Sequence, residues 1–174
     1  MARVIVFELA VSSDYPNGGV SVTIPSYNDG LRPGGDTDDA LLARTIERSV
    51  LARKDSEGAL ICRDGAYHVT DSLNIPTDRG FRDAWTLAEG KVVVDMEKAR
   101  RIHMDAIRQA RDLELAVLDV PWMVAVEKGD TVSAGSIAAR KQLLREIPQT
   151  FDLMLYGSPE SLSVSWPADL ARPS

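Results

Sequence analysis

Residues 95–151 decide the fold prediction, and they read DMEKARRIHMDAIRQARDLELAVLDVPWMVAVEKGDTVSAGSIAARKQLLREIPQTF. Asp95 is suited to cap a helix N-terminus, and apolar residues follow it at intervals of three and four. This spacing is that of a narrow coiled-coil seam and predicts one long amphipathic helix. The stripe consists of Met96, Ala99, Ile102, Ala106, Ala110, Leu113 and Val117.

Pro121 allows two interpretations of the end of this helix. Either Asp119 caps a second helix with Pro121 in its tolerant first turn, or one helix continues with a kink at the proline. We favour the second helix, ending at Gly129. A further helix is expected to begin at Thr131 and to stop at Pro148. The result would be an antiparallel helical hairpin over residues 96–151.

The first 75 residues predict a small ββαββ unit. Residues 4–11 and 20–24 are rich in β-branched side chains and flank a run of turn formers, which predicts a β-hairpin. A Gly/Pro/Asp loop is expected at residues 28–36, after which Thr37 is suited to cap a helix that fades near Lys54. Two short strands, residues 59–62 and 67–70, are expected around an Asp64-Gly65 turn.

The predicted fold class is therefore α+β. We expect a domain boundary at Ile75-Pro76, because a residue before proline prefers extended geometry. Residues 76–95 would form a linking segment with a short hairpin, and residues 152–174 a C-terminal tail with a short helical turn.

Composition restricts the class of protein. The net charge of −6 disfavours a nucleic-acid partner, and no stretch approaches the length of a membrane span. Cys62 is the only cysteine, which excludes an internal disulfide and a four-cysteine zinc site. We expect synthesis in a reducing cytoplasm.

No motif indicates catalysis. The two histidines are His68, expected in a strand, and His103, expected on the polar edge of the long helix. Neither lies at the spacing of a metal site or has an identifiable acid–base partner. We interpret both as structural or surface residues and Cys62 as a half-buried strand residue. We therefore expect no catalytic, cofactor or metal site, and a protein that is not an enzyme.

Arginines on the long helix, among them Arg101 and Arg108, are interleaved with acidic residues. Asp105 lies at helical spacing from both arginines, which indicates a solvated face laced with ion pairs. The alternative is a regulator that binds nucleic acid through this face.

Large aromatic residues fall at the entries of predicted segments, where they usually fill joints between elements. They could also anchor a partner subunit. The candidate partner contacts are Phe81, Trp85, Trp122 and Trp166, with the two arginines Arg101 and Arg108.

Several strings resemble a pattern found in small proteins of tailed bacteriophages and prophages. These are IPTDRGFRDAW at residues 75–85, VDMEKAR at residues 94–100, IHMDAIRQARDLELAVLDV at residues 102–120 and LREIPQTFDL at residues 144–153. The resemblance covers roughly half of the chain.

The resemblance implies a non-enzymatic virion structural protein of the phage tail, in the fibre, baseplate or attachment region. It would be made in the host cytoplasm, contact other tail or fibre proteins, and occur as a homo-oligomer within an assembly. The alternative is a tail-fibre assembly chaperone that is absent from the mature virion.

Overall fold

The computed structural model describes residues 2–26 and 37–173, and the chain divides into the units Met1–Asp95 and Met96–Ser174. The first unit contains two small antiparallel sheets, and the second contains the long helices. This arrangement confirms the predicted α+β class. The loop expected at residues 28–36 lies outside the described residues.

The first sheet has the order β2-β1-β3, with β1 (Arg3–Leu9) between β2 (Val20–Thr23) and β3 (Cys62–Asp71). The predicted β1–β2 hairpin is confirmed, and both strand pairs are antiparallel. Since side chains alternate across a strand, Val4 and Val6 face one side of the sheet while Ile5 and Phe7 face the other. All four side chains are fully buried. Both faces of β1 are therefore covered.

The two faces of β1 support separate clusters. A second hairpin, β4 (Trp85–Ala88) with β5 (Lys91–Val94), covers one face. Residues 76–95, expected as a linking segment, thus place side chains in the core of the first unit. That cluster consists of Val4, Val6, Val20, Ile75, Trp85 and Val92.

The other face of β1 packs against helix α1 (Asp38–Ile46) and the turn that extends it. The Thr37 cap is confirmed, since its hydroxyl accepts a hydrogen bond from the Ala40 N–H at 3.2 Å. A π-helical turn, Glu47–Leu51, continues the helix and ends before Lys54. This cluster consists of Ile5, Phe7, Leu42, Val50, Ile61 and Cys62.

The two strands expected around Asp64-Gly65 are instead a single strand, β3. Phe7 pairs with Tyr67 and Leu9 pairs with Cys62, so residues 63–66 form a bulge in one continuous strand. Asp64 and Gly65 both adopt positive φ, of 55° and 67°. This backbone conformation suits a tight turn as well as a bulge, but β1 is long enough to pair with both flanks.

The second unit is built on α2 (Met96–Glu127) and α3 (Thr131–Thr150). The expected pair of helices is present, but α2 continues through Pro121, so the favoured interpretation of a new helix was wrong. Asp119 forms a salt bridge with Lys141 of α3 rather than a helix cap. Proline in a helix interior costs about 3 kcal/mol, and the contact with α3 helps to offset that cost.

The ends of α3 are set by local contacts. Asp130 caps its N-terminus, accepting a hydrogen bond from the Ser133 N–H at 3.0 Å. Pro148 was expected to stop the helix, yet it lies in the last turn and the helix ends at Thr150. The Phe151 N–H still reaches the Ile147 carbonyl at 2.9 Å.

The expected helical turn in the tail is confirmed as α4 (Pro159–Val164), which begins with a capping box between Ser158 and Ser161. The tail packs on the N-terminal half of α2. The Arg100 guanidinium donates to the carbonyls of Leu153 and Tyr156, at 3.1 and 3.0 Å.

Candidate functional site

The covered face of α2 differs from the predicted apolar stripe. Its N-terminal half buries Ala99, His103, Ile107 and Ala110. The expectation that His103 lies on the polar edge of the helix was wrong. Because the tail covers this part of α2, the imidazole is buried and its Nε2 donates to the Ser165 carbonyl at 2.8 Å.

The C-terminal half of α2 leaves an apolar stripe uncovered. Leu113, Val117, Val120 and Val124 are separated by four, three and four residues, which places them on one face of the helix. Their exposed fractions are 69, 72, 61 and 39%. We call these four residues the α2 seam. Further exposed apolar side chains of this half are Trp122, Met123 and Val126.

An open groove of about 590 Å³ runs beside the first half of the seam. Leu113 and Val117 line it from α2, and residues 168–173 of the tail line it from the opposite side. The Arg140 guanidinium borders the groove and donates to the Asp169 carbonyl at 2.6 Å. The tail is therefore held at a fixed place beside the seam.

Ion pairs hold α2 and α3 together behind the seam. Arg140 Nε donates to Glu114 Oε1 at 3.1 Å, while Glu114 Oε2 is buried without a hydrogen-bond partner among the described residues. One turn further along, Lys141 pairs with Asp119 and lies 5.5 Å from the centre of the Trp122 ring. These contacts fix the hairpin that carries the seam.

The predicted partner contacts form two groups, one buried or half-buried and one exposed. Phe81 and Trp85 are buried, and the Arg79 guanidinium lies 5.3 Å from the Trp85 ring. Trp166 is half-buried, with its indole N–H donating to the Leu170 carbonyl at 2.9 Å. These aromatics fill joints in the structure.

The other three candidates, Arg101, Arg108 and Trp122, are exposed on α2. Arg108 makes the expected ion pair with Asp105 at 2.8 Å. Of these three, only Trp122 lies within the apolar half of the helix. The seam itself was not among the candidate residues, although the spacing of Leu113 and Val117 was visible in the sequence.

The contact between His103 and Ser165 does not form a catalytic pair. The Ser165 hydroxyl lies 3.3 Å from His103 Nε2, but it donates to the Leu162 carbonyl at 2.7 Å. Both side chains are buried. Burial lowers the pKa of His103, with a smaller contribution in the same direction from Arg172, and the Ser165 hydrogen bond opposes them. The arrangement attaches the tail to α2.

Cys62 is buried at the start of β3, and burial raises the pKa of its thiol. Within residues 2–26 and 37–173, no group of three His, Cys, Asp or Glu side chains is placed to hold a metal ion. In the same part of the chain, no helix is both long and apolar enough to cross a membrane.

Comparison of the chain with protein-family models, curated proteins and solved structures finds no match. The resemblance to phage tail proteins therefore rests on the sequence strings alone, and the candidate site rests on the geometry of the α2 seam.

Proposed function

We propose that this chain is a non-enzymatic structural protein of a phage virion, a component of the tail that acts through protein–protein contacts made by the α2 seam. The observation that supports this proposal is the exposure of four apolar side chains in heptad spacing on a helix. Contiguous apolar side chains on one exposed helix face are a feature of protein interaction sites. The assignment to the tail of a phage particle rests on the sequence resemblance.

Burial of the α2 seam would add favourable free energy to a contact with another protein. Full burial of an aliphatic side chain contributes about 1.5–3 kcal/mol. Scaled by the exposed fractions of the four seam residues, complete burial of the seam would contribute about 4–7 kcal/mol more. At roughly 25 cal/mol per Å², this corresponds to about 150–300 Å² of apolar area. Burial of this surface by another tail protein would be a useful contribution to an assembly.

The charges near the seam also favour an apolar contact. Between residues 113 and 126 the charged side chains are Glu114 and Asp119, and both are paired with α3. A partner that covers the seam would therefore not have to desolvate an unpaired charge, which is a large cost in protein interfaces. A nucleic-acid partner would instead require an excess of basic groups.

The test is quantitative mass spectrometry of purified particles of the phage or prophage that encodes the chain. We expect a fixed copy number per particle. The variant Val117→Lys should be lost from particles, since it places a charge in the seam. The matched control is Val164→Lys on α4, because Val164 is 73% exposed and Val117 is 72% exposed.

Absence of the unmodified chain from particles would contradict the proposal. If the chain were then recovered from infected cells in a stoichiometric complex with a fibre protein, it would be an assembly chaperone. Equal incorporation of both variants would show that the seam makes no contact in the particle.

A further inference from the structure

We infer that a small polar pocket in the first unit binds a small carboxylic acid that also carries a hydrogen-bond donor, that is, a hydroxy acid or an amino acid. The pocket has a volume of about 320 Å³, and all of its lining residues belong to Met1–Asp95. The α2 seam belongs to the other unit. The inference therefore goes beyond the proposed function and does not depend on it.

Three parts of the first unit line this pocket. The lining residues with polar groups are Tyr15 and Gly19 of the loop between β1 and β2, Ser21 of β2, Arg53 after the π-helical turn, and Arg82 and Asp83 of the 3₁₀ turn Arg82–Ala84. The volume lies at the small end of the roughly 300–1,000 Å³ that is typical of ligand pockets. The pocket therefore suits a small molecule.

The charged side chains of the pocket have no partners in the part of the chain that the structure describes. Neither a hydrogen bond nor an ion pair joins Arg53, Arg82 or Asp83 to another described side chain, or to one another. Two other arginines of this unit, Arg3 and Arg63, form ion pairs at 2.7 Å. The guanidinium donors of the pocket are thus available to a ligand.

The backbone at both pocket arginines is held by hydrogen bonds. The Arg53 carbonyl accepts a hydrogen bond from the N–H of the buried Ile61, and the Arg82 N–H donates to the Arg79 carbonyl, both at 3.1 Å. Ligand binding would therefore have to order the two arginine side chains, but not the backbone that carries them.

The signs of the charges favour a carboxylate over a phosphate. A guanidinium offers paired N–H donors that match either anion. Asp83 offsets one of the two positive charges, which leaves the pocket with a single net positive charge. A carboxylate carries one negative charge, whereas a phosphate monoester carries about 1.5–2 at pH 7 and would be repelled more strongly by Asp83.

Asp83 also determines what else the ligand must carry. An ionised carboxylate only accepts hydrogen bonds. A carboxylic acid without a donor would satisfy the arginines and meet repulsion at Asp83, whereas a hydroxyl or ammonium group on the same molecule would bind Asp83. The combination of two arginines with one aspartate therefore selects a hydroxy acid or an amino acid over a simple carboxylic acid.

Titration of the full chain, labelled with ¹⁵N and followed by NMR, tests this inference. The probes are glucuronate, glycine, acetate and inorganic phosphate, each up to about 50 mM at constant ionic strength and pH. We expect saturable shifts with glucuronate or glycine, with a dissociation constant on the order of 1 mM, since so small a ligand binds weakly. Acetate and phosphate should bind at least about 5-fold more weakly. Preference for glucuronate identifies the donor as hydroxyl, and preference for glycine identifies it as ammonium.

Variants of the arginines test the location of the site. Arg53→Gln and Arg82→Gln should each weaken binding of the preferred probe by roughly 10-fold, because each removes a charge-assisted hydrogen bond. The matched control is Arg48→Gln, since Arg48 is exposed on the π-helical turn and lies outside the pocket lining. It should leave the dissociation constant unchanged. The same spectra show whether each variant is folded.

Asp83→Asn tests the selection of the donor. It should weaken binding of the preferred probe but leave acetate binding as strong as before or stronger, because repulsion of the carboxylate is removed. The absence of saturable shifts with every probe would overturn the inference. So would equal binding of all four probes, or a loss of binding in Arg48→Gln as large as in Arg53→Gln.

Discussion

Strand β1 and the α2 seam are comparably apolar, but the chain buries β1 and leaves the seam exposed. The β1 residues Val4–Phe7 are fully buried, with one side of the strand against α1 and the other against the β4–β5 hairpin. The seam residues remain 39–72% exposed. Apolar residues of one kind thus build a finished core in one unit and an open surface in the other.

The same contrast occurs within α2 itself. Its N-terminal half is covered by the tail, which Arg100 and His103 hold through backbone carbonyls. Its C-terminal half contacts α3 through the pairs of Glu114 with Arg140 and Asp119 with Lys141, but the seam residues stay exposed. The tail therefore completes the fold of the first half of α2, whereas the α2 seam in the second half stays exposed.

The largest expected effect comes from removing a β1 side chain. Phe7→Ala should lower the free energy of unfolding by about 3–5 kcal/mol, because it leaves a cavity in a covered core. Val117→Ala should change it by less than about 0.5 kcal/mol in dilute solution, where the seam is uncovered. Urea denaturation of the full chain at low concentration measures both values. Similar losses of unfolding free energy for Phe7→Ala and Val117→Ala would contradict the difference in burial between β1 and the seam.

A smaller loss is expected at the ion pair behind the seam. Arg140→Ala should cost about 1–3 kcal/mol, because it leaves Glu114 partly buried without its partner and frees the Asp169 carbonyl. Thermal unfolding measures the loss. The double variant with Glu114→Leu is the control and should recover part of it. If the double variant were as unstable as the single one, the unpaired carboxylate would not be the cause.

The smallest expected effect is a dependence of stability on pH through His103. Its pKa is lowered in the folded chain by burial, whereas an unfolded histidine titrates near about 6.5. The unfolded chain therefore binds more protons below that pH. The contribution of His103 to folding stability is fully present above about pH 6.5. It is lost as the pH falls toward the lower pKa of the folded state.

Comparing the melting temperature of the unmodified chain with that of His103→Gln, between about pH 7.5 and 5, isolates this contribution. The difference between the two proteins should shrink as the pH falls. A constant difference across this range would show that the titration of His103 is not coupled to folding.

Local signals predicted the elements that local contacts determine. The β1–β2 hairpin, the Thr37 cap and the start of α3 follow from turn formers, capping residues and apolar spacing within a few positions. These features form through neighbouring residues, so their sequence patterns are sufficient.

The features that sequence reasoning missed depend on distant residues. The bulge at Asp64-Gly65 requires pairing of both flanks with β1, and the continuous helix at Pro121 is accompanied by the contact of Asp119 with Lys141. Burial of His103 depends on Ser165, which lies 62 residues away in the chain. Periodicity found the apolar stripe of α2, but it could not tell which part the chain covers itself.

The most direct test of the α2 seam is hydroxyl-radical footprinting of the free chain and of purified phage particles, read by mass spectrometry. We predict that Leu113 and Val117 are labelled strongly in the free chain in dilute solution and are protected in particles, while Val164 is labelled equally in both. Protection of the seam in dilute solution would mean that the chain covers it alone. Equal labelling of the seam in the free chain and in particles would contradict the proposed contact.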